Sequence, residues 1–441
     1  MSERRKGERV TMEAPTSMSI ASFRDNRRLF ALLFGINTLN YADRYTLPAV
    51  APLLTVSISL TDTQLGLLGT AFLLIYAVGA LPLGALADRY TRTKVVGGGV
   101  ALWSVATALT ALCRTFPQLF AVRALLGIGE ASYFPASNSM LADAFLQARR
   151  ARVMAWWGVA LPLGVFLGYA VGGLIGQQFG WQAACLVVGI PGLILAALIW
   201  RAHEPQRGES EGLTHAGDHG SGDPFAFHLL RIPTVSFAIV TEVFAFFVLG
   251  GLGFWLTAYL VRHYHLSTGS AGVIAGALFV VGGGIGTVVG GYLADHMLPR
   301  QPAARLLVPA LGMIASGAAI AAGLLAPSLA LFLAIYTLAG ALVSLQSAPL
   351  SALFQDVVAP AVRARVVALS LLIAHLFGDA FSPSMIGAVS DRLGGATGGG
   401  LDRALWITPA AAVIAGLVAL VGCRYVASDR ARMLHHLTPD G

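Results

Sequence analysis

Runs of some 20 apolar residues, each long enough to cross the hydrocarbon of a bilayer as a helix, recur twelve times along this chain. The first six lie near Leu29–Val50, Gln64–Ala87, Val95–Leu112, Gln118–Ala142, Val153–Gly176 and Gln182–Trp200. The second six lie near Ile232–Leu260, Gly272–Ala294, Leu306–Leu325, Leu329–Phe354, Val366–Val389 and Ala404–Val426. Only 12% of residues are charged and 56% are hydrophobic, whereas a soluble domain carries about 25% charged residues. No soluble fold of this length could bury that much apolar surface. The expected class is an all-α membrane protein with twelve transmembrane helices. The 51 glycines agree, because Gly is commoner in transmembrane helices than in soluble ones.

The net charge of +7 reflects orientation, because basic residues concentrate in the loops on one side of a membrane. With the N-terminus inside, 23 of the 29 Lys and Arg residues fall in inside segments. Four lie outside (Arg114, Arg262, Arg392 and Arg403), and two, Arg44 and Arg123, lie within spans. Both termini are therefore expected in the cytoplasm. No aromatic-interleaved basic patch points to nucleic acid. Cys113, Cys185 and Cys423 are far apart without ligand-like spacing and read as packing residues. The polar, basic start has no signal-peptide pattern, so the first apolar run is expected to stay as a span.

The chain divides into an N-terminal tail (1–28), an N-terminal bundle (29–200), a linker (201–231), a C-terminal bundle (232–426) and a C-terminal tail (427–441). The Gly/His/Ser-rich linker reads as flexible. Its Gly208-Glu-Ser210-Glu-Gly212 matches the hydrolase GxSxG pattern without the strand–turn–helix setting that motif needs. His203, His215 and His219 read as solvated linker residues, not metal ligands. The two bundles echo each other. Gly84-Ala-Leu-Ala-Asp88-Arg89 closes the second span and Gly291-Tyr-Leu-Ala-Asp295-His296 closes the eighth. Repeated halves meeting around a midplane site are a transporter design.

The stretch Gly84–Lys94 (GALADRYTRTK) places Gly84, Asp88, Arg89, Arg92 and Lys94 in a compact charged turn that can make and break ion pairs as the halves rock, with Asp295 as its partial repeat. These residues resemble the loop 2–3 signature of the major facilitator superfamily. Arg123-Ala-Leu-Leu-Gly127-Ile-Gly129, the row Gly164, Gly168, Gly172 and Gly173, and Gly180-Trp181 agree with it. Within the superfamily the sequence is most similar to the Spinster-like transporters. The matching stretches are Asn40-Tyr-Ala-Asp43-Arg44, Leu86-Ala-Asp-Arg-Tyr90 with Arg92, Trp103-Ser-Val-Ala-Thr107 and Gly127-Ile-Gly-Glu130-Ala-Ser-Tyr-Phe-Pro135. The anion:cation symporter branch shares related motifs but usually has Gly where this chain has Tyr90. His296 stands where the first half has Arg89, a departure that puts charged-turn function of the second half in question. The resemblance implies two six-helix bundles around a central cavity, alternating access, and no enzymatic activity or cofactor. With no long extensions of the eukaryotic kind, it points to a bacterial inner membrane.

Ionisable groups inside a span are costly and usually functional. Here they are Asp43 and Arg44 on span 1, and Arg123 and Glu130 on span 4. Arg123 and Glu130 are two helical turns apart and share a face, about 10 Å apart along the axis, while Asp43 and Arg44 point about 100° apart. Two readings follow: Glu130 or Asp43, alternately paired with Arg44 and open to water, carries a proton, or the pair permanently locks span 1 to span 4. The Spinster-like resemblance places Asp43, Arg44 and Glu130 in a proton-coupling cluster. Arg44 and Arg123 could also hold an anionic substrate group, since a guanidinium fork matches carboxylate or phosphate. Glu242 could face the cavity or mark a helix end. His375 and Asp379, one turn apart, could hydrogen-bond as a structural pair or a second coupling site. Asp143 and Asp356 should serve contacts at inner helix ends.

Tyr41, Tyr45, Phe72, Tyr76, Tyr133, Phe134, Phe246 and Phe247 fall where they could line a cavity or simply pack. The substrate set is read as Arg44, Arg123, Glu130, Tyr41, Tyr133, Phe134 and Glu242. The run Gly282-Gly-Gly-Ile-Gly286 lacks the Lys-Ser/Thr of a nucleotide loop and reads as helix packing. The expectation is a monomeric, proton-coupled secondary transporter of an amphipathic or anionic molecule such as a lysolipid or sphingoid lipid. A carrier of an organic acid, and a receptor that moves nothing, are the alternatives.

Overall fold

The computed structural model describes residues 20–207 and 227–435, and its helices form twelve membrane-scale segments. They are α1 (Ile20–Ser57), α2 (Asp62–Arg89), α3 (Arg92–Thr110), α4 (Phe116–Ala131, continued by Tyr133–Ala144), α5 (Gln147–Phe179) and α6 (Trp181–Trp200). The second half comprises α7 (Pro233–Tyr264), α8 (Thr268–Met297), α9 (Ala304–Leu324), α10 (Leu329–Val357), α11 (Arg363–Arg392) and α12 (Gly400–His435). Helices are the expected solution, since lipid offers backbone amides no partner. The GxSxG stretch, His215 and His219 lie outside the described residues.

Among the described residues, nine of these segments are apolar enough over a long enough stretch to count as membrane spans on hydropathy alone. The exceptions to the sequence expectation are α1, α3 and α4, and the reason is chemical. Helices α1 and α4 carry Asp43, Arg44, Arg123 and Glu130, all but Arg44 buried, and α3 begins inside the charged turn.

Two ends differ from expectation. Helix α1 starts at Ile20, not at Leu29, and Asn26 in its added turns donates to Ala144 O at 2.7 Å. Helix α12 runs to His435, because Asp429 is buried and accepts from the backbone N–H and hydroxyl of Thr234 at the start of α7. The stretch after Val426 is thus tied to the second half for two more turns.

Packing follows the glycines of α5. A Cβ at Gly164 would lie 2.3 Å from Thr38 O, and one at Gly168 would lie 2.4 Å from Ala42 O. The α5 backbone therefore rests directly on α1, the close approach that small residues permit between membrane helices. The opposite face of α5 meets α8: a Cβ at Gly272 would fall 2.3 Å from Tyr169 O, and Gly173 sits against Thr268 O.

The two halves touch at one end of the molecule. We name as inner the end bearing the Arg92 turn, and as outer the opposite end. Gly66 on α2 abuts Pro383 O on α11, Gly387 abuts Asp62 O, and Gln177 on α5 accepts from the Gly269 N–H on α8 at 2.7 Å. Midway, the Tyr169 hydroxyl donates to Gly253 O on α7. Towards the inner end α5 and α8 part, and a Cβ at Gly284 would meet nothing within 4 Å.

These contacts predict that Gly168→Ala lowers stability by about 1–3 kcal/mol, the usual cost of overpacking, read as a lower melting temperature in detergent. Gly284→Ala should leave it unchanged. Equal behaviour of the two variants would contradict direct α1–α5 backbone packing.

Candidate functional site

The buried charges of the first half assemble into one cluster. Arg44 Nη2 donates to Glu130 Oε2 at 2.9 Å, joining α1 to α4. Asp43, the next residue, turns the other way and accepts from the Thr107 hydroxyl of α3. The 100° between neighbouring side chains therefore sends Arg44 to α4 and Asp43 to α3. Arg123, the second guanidinium, is buried within electrostatic reach of Asp43 and Glu130. Two carboxylates and two guanidiniums thus share a site screened from water, and the Arg44 side chain, 15% exposed against 0% for Glu130, is the one that opens outwards.

Aromatic rings complete the cluster. The Arg44 guanidinium lies 5.3 Å from the Tyr41 ring, 5.0 Å from Phe72 and 4.8 Å from Tyr76, and Arg123 lies 5.1 Å from Phe72. Cation–π contacts of this kind are worth about 0.5–2 kcal/mol when desolvated. They give Arg44 a second set of partners should Glu130 be neutralised. The Glu130 oxygen outside the Arg44 pair, Oε1, is buried, and the Asn40 side chain lies within reach of the carboxylate.

Next to the cluster lies a cavity of about 890 Å³ between α5, α7, α8 and α10. Its walls are mainly apolar and include Tyr169, Leu252, Phe279, Tyr336 and Val343, with Thr287 and Ser344 among its few polar residues. Tyr45, the residue after Arg44, packs against Tyr169 at 5.2 Å and Phe279 at 5.5 Å. One turn of α1 thus carries the charge cluster on one side and, on the other, a ring packed behind two residues of the cavity wall.

None of the expected substrate residues is among those lining this cavity. Tyr133 is buried, donates to Leu33 O at 2.5 Å and packs edge-on against Trp103. Phe134 lies against Trp157. Glu242 is buried on α7 beside Ser370 and within electrostatic reach of His375, with Oε2 unpartnered. His375 and Asp379 bond at 2.9 Å across a π-helical turn of α11, and Phe246 meets the His375 ring edge-on at 5.0 Å.

At the inner end Arg92 is the buried member of the charged turn, while Arg89 and Lys94 are exposed. Arg92 reaches Asp143 on α4 and Glu204 just after α6, at 2.5 and 3.2 Å. Glu204 also accepts from the backbone N–H groups of Arg92 and Thr93, so a residue from the start of the linker caps α3, where Thr91 makes no cap bond. Gly84 packs near Pro135. The side chain of Asp88 is outside the described set. In the second half Arg305 bridges Asp295 at 3.2 Å and Asp356 at 2.5 Å. That half therefore keeps a charged turn, with Arg305 doing what Arg92 does in the first. Neither Glu204 nor Arg305 stands out in the sequence beyond its charge. Among the described residues, no group of three or more His, Cys, Asp or Glu side chains could hold a metal ion.

Residues 33–383 match the Major Facilitator Superfamily. Protein spinster homolog 1 of Xenopus laevis is 32% identical over 84% of this chain and 74% of its own. The chain is a Spinster-type member of the major facilitator superfamily. Protein spinster homolog 1 of Homo sapiens is 31% identical over 83% of this chain and 73% of its own. Among solved structures, a bacterial homolog to the human lysosomal transporter Spinster, in an inward-facing and unoccupied conformation, superposes with a TM-score of 0.84. It is 25% identical and covers 92% of this chain and 98% of that one. This Spinster-type chain is therefore a membrane transporter whose relatives are transporters and not enzymes, as its motifs implied.

Among the described residues, Thr107 alone donates a side-chain hydrogen bond to Asp43, so Thr107→Val should cost about 1–3 kcal/mol, the penalty for leaving a buried polar group short of a partner. Thr107→Ser should recover most of the loss in a thermal melt. A Val variant as stable as the parent would show that Asp43 is satisfied otherwise.

Proposed function

We propose that this Spinster-type transporter couples movement of an amphipathic anion, of the lysolipid or sphingoid-lipid class, to a proton. The observation that carries the reading is the position of Arg44. It holds the carboxylate of Glu130 and stacks on three rings, and its neighbour Tyr45 forms part of the packing behind the apolar cavity. An apolar tail fits the walls between α5, α7, α8 and α10. An anionic headgroup at the α1 side would compete with Glu130 for the Arg44 guanidinium, which suits carboxylate or phosphate.

The same competition supplies the coupling. Protonating Glu130 removes its charge and frees Arg44 for an anion or for the faces of Tyr41, Phe72 and Tyr76. Deprotonation restores the 2.9 Å pair. The Glu130 carboxylate and the substrate anion thus alternate on one guanidinium, and a proton on Glu130 bound together with an anion on Arg44 adds no net charge to the site. Asp43 and Arg123 keep the rest of the cluster balanced. We infer further that the protein works as a monomer in a bacterial inner membrane with the Arg92 end in the cytoplasm, in line with its basic loops.

Flux in proteoliposomes tests both parts. A labelled lysophospholipid should respond to an imposed pH gradient with wild-type protein. Glu130→Gln should lose that response while keeping gradient-independent exchange, and Arg44→Ala should lose about tenfold or more of both, the scale of a lost charge-assisted contact of 1.4 kcal/mol or above. A Glu130→Gln variant that follows the gradient as the parent does would overturn the coupling. Transport of short organic acids with no lysolipid flux would overturn the substrate class, and binding without any flux would make the chain a receptor.

A further inference from the structure

We propose that a crossed pair of carboxylates, Asp62 from the first half and Asp391 from the second, is the latch that holds the outer end closed, with Arg262 as its key. This goes beyond the coupling and substrate readings and does not depend on either.

Asp62 is the first residue of α2, and its side chain is fully buried. It accepts two hydrogen bonds from the guanidinium of Arg262 at the end of α7, at 2.9 and 2.7 Å, and a third from the Ser390 hydroxyl of α11 at 2.6 Å. Asp391, the next residue on α11, reaches back. Its carboxylate accepts from the backbone N–H groups of Asp62 and Thr63, at 3.0 and 2.8 Å, and from the Thr63 hydroxyl at 2.5 Å. Each half thus lends a carboxylate to the other within two residues of the same spot. All six hydrogen bonds cross between the halves.

Two features make this a latch and not a passive contact. A bidentate Arg–carboxylate pair is strong and orientation-specific, and separating it strands a charge that was buried. The Asp391 carboxylate caps the N-terminus of α2 from outside the helix. Opening the outer end therefore leaves two amides of the first turn of α2 without their partner, in a helix whose own cap, Thr61, serves a different amide, that of Gln64. Backbone contact at Gly387, where a Cβ would sit 2.2 Å from Asp62 O, means that the bonds break together when the halves separate.

A nearby pair provides the contrast. His263 and Asp402, at 3.0 Å, are both about one-third or more exposed and both belong to the second half. This pair has nothing to break on outer opening.

The test measures conformation directly in full-length protein in nanodiscs, with the three native cysteines replaced. Spin labels at Val56 and Leu325, both exposed at the outer end, report outer opening. Labels at Ala151 and His296 report the inner end. Arg262→Ala and Asp391→Ala should raise the population with a long outer distance by about tenfold and shorten the inner distance reciprocally, as expected for a two-state equilibrium that has lost a differential contact. Arg262→Lys, which keeps charge without the fork, should fall between. Asp402→Ala should match the parent. Thermal melts distinguish a latch from a merely structural contact: loss of stability with unchanged distance distributions in both Ala variants would overturn the proposal, as would an identical shift in Asp402→Ala.

Discussion

Charge balance in a medium that tolerates no free charge is the constraint on which this transporter is built. Asp43, Arg44, Arg123 and Glu130 lie in the thickness of the membrane, where an isolated ion is expensive. Two carboxylates against two guanidiniums, with Thr107 and the rings of Tyr41, Phe72 and Tyr76 filling remaining valences, make the site affordable only as a set. Helices α1, α3 and α4 are fixed relative to one another by that set. The low hydropathy of α1 and α4 is its direct consequence, and the remaining segments supply the apolar stretches that commit the chain to the bilayer.

The two ends of the molecule use the same chemistry for different purposes. At the inner end, Arg92 with Asp143 and Glu204, and Arg305 with Asp295 and Asp356, tie neighbouring segments together inside each half. At the outer end, the bonds of Asp62 and Asp391 run from one half to the other. The inner ties survive a rocking motion, whereas the outer ones must be exchanged during it. The difference is topological and does not lie in the strength of any one bond.

Much of this was legible from residues alone. Periodic apolar runs, the Asp88/Asp295 repeat and the basic loops predicted the helices and the halves. The pairing of Asp43, Arg44, Arg123 and Glu130 into one site followed from their cost in lipid, although the sequence left open which neighbour each would choose. Cavity walls were harder to foresee. Tyr133 and Phe134 have the right chemistry and sit in a distinctive motif, yet both pack against Trp157, because a face of α4 cannot be assigned when the helix breaks at Ser132. Residues such as Leu252, Phe279 and Val343 carry no signal that separates a cavity wall from lipid contact. Arg262 entered only as one of the outside charges, and Asp62 and Asp391 carry no local signal at all, since their partners lie some 200 to 329 positions away.

Helix α5 is in backbone contact on two sides, with α1 through Gly164 and Gly168 and with α8 through Gly173 and Tyr169. Seated backbone on backbone at these points, it behaves as a coupling rod between neighbours. A small slide or roll of α1, the helix that carries Asp43 and Arg44, is passed to α8 undamped, and α8 forms a wall of the cavity. Mechanical transmission between the ionic site and the cavity therefore needs no flexible relay, only a helix thin enough to mesh with both.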